Sequence, residues 1–254
     1  MIISSSRPGN VKLRVLGCGD AFGSGGRNQS GYLIEGADRL FLLDCGPTTL
    51  LAMKRAGIEP KRLDAVFLSH LHGDHFGGLP FFFIEFLYNT RRARPLQIAG
   101  PPGTEERAHD LFQVMYGSAA EPKELPPTAF HEFEPGRATA VDGIEVLPFR
   151  VPHQLQDVSL GLKVFYEGKT IVFSGDSGWT DDLVAQARGA DLFLCECSFY
   201  TRTAPNHISY SELRGQLERL ECKRLLLTHM GEEMLARRQE LAVETAADGM
   251  VVEI

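Results

Sequence analysis

The chain has 254 residues, enough to bury a full core as one large layered domain or two small ones. A net charge of −7 excludes an extended nucleic-acid-binding face, because phosphate affinity rests on lysines and arginines. Five cysteines without C-x-x-C spacing exclude a disulfide framework, and no apolar run long enough to span a bilayer or signal-peptide pattern is present, so a cytoplasmic protein with reduced thiols is expected.

Strand and helix signals alternate along the chain. Residues 11–16, 32–35 and 40–44 read as strands, the last two joined by a turn at Gly36-Ala37-Asp38. A helix over 48–56 stops at Gly57, and a strand over 64–68 leads into a histidine-rich loop. The apolar stretch 79–88 reads as a helix, so Phe76, Phe81, Phe82, Phe83 and Phe86 are expected to serve the core rather than a pocket. A strand over 96–99 and a Gly-Pro-Pro-Gly turn precede a helix over 104–116. Residues 117–128, with Pro122, Pro126 and Pro127, read as an irregular loop that would join neither sheet and would bound the substrate pocket. Strands follow at 129–133, 144–151, 159–166 and 170–174, with a hairpin turn at Glu167-Gly168-Lys169. The chain then alternates helix 180–188, strand 191–196, helix 209–220, strand 224–228, helix 232–238 and strand 250–254. Two strand-rich blocks, each followed by helices, predict an α/β fold: one domain over 1–254, two sheets face to face with helices outside.

The segment His70-Leu71-His72-Gly73-Asp74-His75 gathers three imidazoles and a carboxylate at the end of an apolar strand. Nitrogen and oxygen donors converging in this way suit zinc or a similar divalent transition metal. Three further donors share one context, an apolar strand, a polar residue or proline, then the donor: His153 after 146–151, Asp176 after 170–174 and His229 after 225–228. Repetition of that context places all of them at one sheet edge. His109 and His131 lack it and are expected to be ordinary packing or surface residues. Two other motifs carry nothing. Gly17 to Gly23 has the wrong spacing for a dinucleotide loop, and Gly175-Asp176-Ser177-Gly178 has no protease context.

The H-x-H-x-D-H motif, then a lone His, a Gly-Asp and a Thr-His, resembles the ordered motifs of the metallo-β-lactamase superfamily over nearly the whole chain. The resemblance implies a four-layer αββα sandwich and two divalent ions, zinc first, with manganese or iron as alternatives. It implies that His70, His72 and His153 hold one ion, that Asp74, His75 and His229 hold the other, and that Asp176 bridges them. It also implies chemistry through a hydroxide shared by two cations. The glycine-rich opening from Leu16 to Gly31 is similar to that of the ribonuclease Z and phosphodiesterase branch, as is Glu196 followed by His207. In that branch Glu196 would orient and His207 would protonate a leaving alkoxide; with Asp74 they are the candidate catalytic residues. Transfer-RNA-processing members carry a long arm between the lone His and the Gly-Asp, but here Asp176 follows His153 by only 23 positions. The expected function is therefore hydrolysis of a small phosphodiester or cyclic nucleotide. A lactonase- or thioesterase-type hydrolase and a ribonuclease Z-like RNA 3′ endonuclease are the alternatives. The expected partner is a small ester, a nucleotide among the candidates, with no membrane and with room for a homodimer.

Overall fold

Apolar side chains occupy consecutive positions over 40–43, 65–67 and 192–195, the pattern of strands covered on both faces. The computed structural model, which describes residues 11–117 and 125–254, shows what covers them: two seven-stranded sheets stacked face to face, with helices outside each. The first sheet runs β1 (Lys12–Gly17), β2 (Gly31–Glu35), β3 (Leu40–Leu43), β4 (Ala65–Phe67), β5 (Leu96–Gly100) and β6 (Thr128–Glu132). Helix α1 (Thr49–Arg55) follows β3, α2 (Gly73–Phe76) and α3 (Leu79–Ile84) follow β4, and α4 (Thr104–Tyr116) follows β5. The second sheet runs β7 (Thr139–Val141), β8 (Ile144–Arg150), β9 (Leu160–Tyr166), β10 (Lys169–Phe173), β11 (Leu192–Glu196), β12 (Leu225–Thr228) and β13 (Glu244–Thr245). Helices α5 (Asp181–Ala187), α6 (Tyr210–Arg214) and α7 (Glu232–Ala236) follow β10, β11 and β12. The last strand, β14 (Val251–Glu253), returns to the first sheet beside β1.

Alternation along each strand sorts side chains into three apolar layers. In β3, Phe41 and Leu43 pack between the sheets, while Leu40 and Leu42 meet the helices of their own side. In β11, Leu192 and Leu194 point inward, while Phe193 and Cys195 face outward to Leu183 and Leu213 of α5 and α6. Each fully buried Leu, Ile or Phe contributes roughly 1.5–3 kcal/mol relative to exposure, so burial on both faces is what selects this architecture. The expected αββα sandwich is what forms.

The elements depart from the sequence expectations where local chemistry overrides pattern. The helix expected over 79–88 ends at Ile84 and continues as a π turn, Glu85–Asn89. The cause is Glu85, which is buried and accepts from Lys54 Nζ (2.6 Å), Asn89 Nδ2 (2.7 Å) and Thr90 Oγ1 (2.8 Å). The helix expected over 209–220 breaks at Gly215 into α6 and a 3-10 turn, Leu217–Arg219. Strands β7 and β13, of three and two residues, are too short to show a period. The irregular loop ends one residue early, because Thr128 pairs with Leu96 as the start of β6. Its residues 118–124, and with them the expected boundary of the pocket, lie outside the described residues. Phe76, Phe82, Phe83 and Phe86 are buried in the core layer under the first sheet, as expected, whereas Phe81, expected with them, is only half-buried.

Candidate metal centre and active site

Strand direction gathers the site. Strands β3 to β6 are parallel, as are β10 to β13; β8, two antiparallel pairings from β10, runs the same way as β10. The C-terminal ends of β4, β8, β10 and β12 therefore open at one edge of the sandwich, where ligand sites of open parallel sheets lie. Strand β4 delivers His70 and His72, and the single turn of α2 then presents Asp74 and His75. His153 follows β8, Asp176 follows β10, and His229 follows β12. Gly175 has φ of +57°, and a Cβ there would lie 2.7 Å from Leu160 O and 2.8 Å from the Ser69 Cβ. Only glycine lets the two sheets approach this closely beside Asp176.

All seven expected ligands converge. His72 Nδ1 lies 3.1 Å from both His70 Nε2 and His153 Nε2, so three nitrogens face one point. Asp74 Oδ2 lies 3.2 Å from His75 Nε2 and 3.3 Å from His229 Nε2, which defines a second point. Asp176 Oδ2 stands between them, 3.3 Å from His75 Nε2, 3.4 Å from His229 Nε2 and 3.9 Å from both His70 Nε2 and His153 Nε2. His70, His75, Asp176 and His229 are buried, Asp74 and His153 are half-buried, and His72 is exposed at the rim.

The outward nitrogens are committed elsewhere, which fixes tautomers and ring planes. His75 Nδ1 donates to Asp44 Oδ2 (2.6 Å) and His70 Nδ1 donates to Ser69 Oγ (3.0 Å), whose hydroxyl donates to Asp44 Oδ2 (2.8 Å). His153 Nδ1 donates to the Asn206 carbonyl (2.9 Å). His229 Nδ1 donates to Ser198 Oγ (3.1 Å), and Ser198 in turn donates to Glu196 Oε2 (3.0 Å). Asp44 and Ser198 escaped the sequence reading. Asp44 directly follows β3 in left-handed backbone, φ 59°, and nothing in the Asp-Cys-Gly run marks it as a support for His75. Its position just after an apolar strand is the same signal that marked the ligands, and it was available.

The donor set fits divalent cations. Among the described residues His75 Nε2 and Asp176 Oδ1 are buried without a hydrogen-bond partner, and the inward atoms of each group lie within 4.8 Å of one another. Such a convergence of lone pairs and carboxylates needs positive charge at its centre. Protons can partly supply it. Burial pushes His75 down, but Asp176, Asp44 and Asp74 outweigh it and hold this imidazole well above its ordinary value. Burial likewise opposes the charge on His229, yet Asp176 and Asp74 raise it to about 9. His70, desolvated and beside His75, is held well below its ordinary value and stays neutral. Asp74 and Asp176 stay ionised: burial is outweighed for Asp74 chiefly by His75, and for Asp176 by His229 and His75.

A second constellation adjoins the first. His207 Nδ1 donates to Glu196 Oε1 at 2.8 Å, and its ring stacks near-parallel on His229 with centroids 5.9 Å apart. Glu196 is fully buried and also accepts from Ser177 N (2.9 Å) and Ser198 N (3.1 Å). Burial lowers the His207 proton affinity, but Glu196 more than restores it and lifts the pKa above the ordinary value. The arrangement places an imidazole of raised proton affinity in the lining of a cavity of about 250 Å³, together with His72, Asp74, His153 and His229. His131 bonds to Gln97 and His109 packs on Phe130, away from the site as expected.

A family described as anti-Pycsar protein Apyc1 matches residues 11–249. A ribonuclease Z of Mycobacterium sp. strain KMS is 29% identical over 238 residues, 86% of this chain and 84% of that protein. The metallo-β-lactamase fold protein YhfI of Bacillus subtilis superposes with a TM-score of 0.76 at 22% identity, covering 97% of this chain and 100% of that one. The short form of human tRNase Z superposes with a TM-score of 0.77 at 25% identity, covering 96% and 99%.

Proposed function

The chain belongs to the anti-Pycsar protein Apyc1 family, within the ribonuclease Z and phosphodiesterase branch of the metallo-β-lactamase superfamily, and from that premise we propose that it hydrolyses a small phosphodiester, a cyclic nucleotide foremost. It is a metal-dependent hydrolase. His70, His72 and His153 would hold one ion, Asp74, His75 and His229 a second, with Asp176 between them, and zinc suits this nitrogen and oxygen set. When bound, such ions supply Lewis acidity, opposing charge on a phosphoryl oxygen and making water acidic enough to react near neutral pH.

The observation that carries the reading is the 2.8 Å bond between His207 and Glu196 beside the ligands. An alkoxide leaves poorly from phosphorus at neutral pH, so a diesterase gains from a positioned acid. Glu196 raises the proton affinity of His207, and three other donors to its oxygens (Ser177 N, Ser198 N and Ser198 Oγ) fix the carboxylate in place behind the ring. Asp74, held ionised and lining the cavity, would orient the attacking water by accepting a hydrogen bond from it. Transfer RNA is the competing substrate, given the curated relatives named ribonuclease Z. Against it stand the net charge of −7 and the segment between His153 and Asp176, which is filled by the β9–β10 hairpin and leaves no arm. A cytoplasmic location accompanies the reading, supported by five free cysteines. No helix among the described residues is long and apolar enough to cross a membrane.

A leaving-group series tests the proposal. His207→Ala is expected to lower kcat/KM by roughly 10²–10⁴-fold for alkyl-leaving diesters and far less for nitrophenolate esters, which need no proton. An equal loss on both, or a lactone or thioester cleaved at wild-type rate with every diester refused, contradicts it.

A further inference from the structure

Phe22 is 92% exposed, although the loop that carries it is well fixed. The buried Asp20 carboxylate accepts from Phe22 N (3.1 Å), Ser24 N (3.0 Å) and Ser24 Oγ (2.7 Å), and Gly25 N donates to Glu232 Oε1 (2.9 Å). The backbone is pinned while the ring stands almost wholly exposed among the described residues. Single exposed apolar residues are common. This one, however, lines the cavity over the metal ligands and also an adjoining recess of about 380 Å³. Phe199 lines both spaces as well, half-buried, with its ring edge-on to His207 at 6.0 Å. The Arg202 guanidinium lies 4.8 Å from the Phe199 centroid, in cation–π contact.

We propose that Phe22 and Phe199 form a stacking platform for the base of a nucleotide whose phosphate occupies the metal centre. This rests on the phosphodiester reading and names its substrate class. Aromatic faces accept any base, and Arg202 adds planar N–H donors for ring carbonyls. Glu232 and Glu233 line the same recess, so a second phosphate extending through it would meet like charge. The recess thus suits a mononucleotide and disfavours an oligonucleotide.

Calorimetric binding of a nucleoside 5′-monophosphate and of ribose 5-phosphate to the metal-loaded protein separates base from phosphate. Phe22→Ala is expected to weaken the nucleotide about tenfold, from the worth of one base stack, and to leave ribose 5-phosphate within about twofold. Phe22→Trp should retain or tighten the nucleotide. Equal affinities of wild type and Phe22→Ala for the nucleotide, or a parallel loss of both ligands, would overturn the platform. Should the contrast hold while no cyclic nucleotide is hydrolysed, the platform stands and the phosphodiesterase reading fails.

Discussion

Asp176 Oδ2 lies within 3.9 Å of four imidazole nitrogens from both ligand groups, so removing it should damage both positions at once. Asp176→Ala is expected to abolish binding at the second position and weaken the first, measured as metal per chain after dialysis. Asp44 touches no ligand-facing atom, yet it holds His75 directly and His70 through Ser69. Asp44→Asn should lower metal affinity roughly 10–100-fold, read by competition with a chelator, because orienting partners of ligands typically carry that much. Protons and cations compete for the same imidazoles. His229 has its pKa raised from 6.5 to about 9, chiefly by Asp176 against the opposing effect of burial. In the metal-free protein its contribution to stability is whole below about pH 6.5 and is lost as pH rises through about 9. Ion uptake needs the neutral ring, so metal binding should release protons and tighten with pH across that window. Calorimetry in buffers of different ionisation enthalpy reads that release directly, and a proton count of zero at pH 7.5 would contradict it.

Strand ends make the site, and strand ends are what the sequence displays best. His70, His153, Asp176 and His229 each follow an apolar run closely, and four such runs pointing one way bring them together. Helix α4 and the hairpin at Glu167 and Gly168, both at positive φ, were equally legible, since capping and turn chemistry is local. Asp44 carries the same strand-end signal but not its role, and Ser198 carries no signal, because their work is defined by partners far along the chain: Asp44 reaches His75, and Ser198 reaches His229. The π turn after α3 was hidden for the same reason, as Lys54 of α1 draws Glu85 inward. Gly175 tests this scale. Gly175→Ala meets left-handed backbone and the close approach of Ser69, and should destabilise by at least roughly 1–3 kcal/mol while lowering metal content. Gly168→Ala, also at positive φ but with nothing within 4 Å of the added Cβ, should destabilise without touching the metal. Equal metal content in both variants would show that Gly175 does not place Asp176.

The two sheets bring separate halves of the centre, with His70, His72, Asp74 and His75 from the first and His153, Asp176 and His229 from the second. Bound ions would therefore tie one half of the sandwich to the other. At 100 to 1,000 times Kd, binding stabilises by about 2.7–4.1 kcal/mol. For a chain of this size that is a fall in Tm of roughly 5–15 °C on chelation, read by differential scanning calorimetry. A chelated protein melting at the temperature of the loaded one would mean that the ions do not bridge the sheets. The overall negative charge belongs to this scale too, since a chain at −7 repels a long polyanion. Hydrolysis of a 3′,5′-cyclic nucleotide by the protein, before chelation, after it and after metal is restored, tests the central claim most directly. Formation of a nucleoside monophosphate that stops on chelation and returns with about two equivalents of zinc or manganese per chain is the expected result. Turnover unaffected by chelation, or a metal-loaded protein that cleaves no phosphodiester, would contradict it.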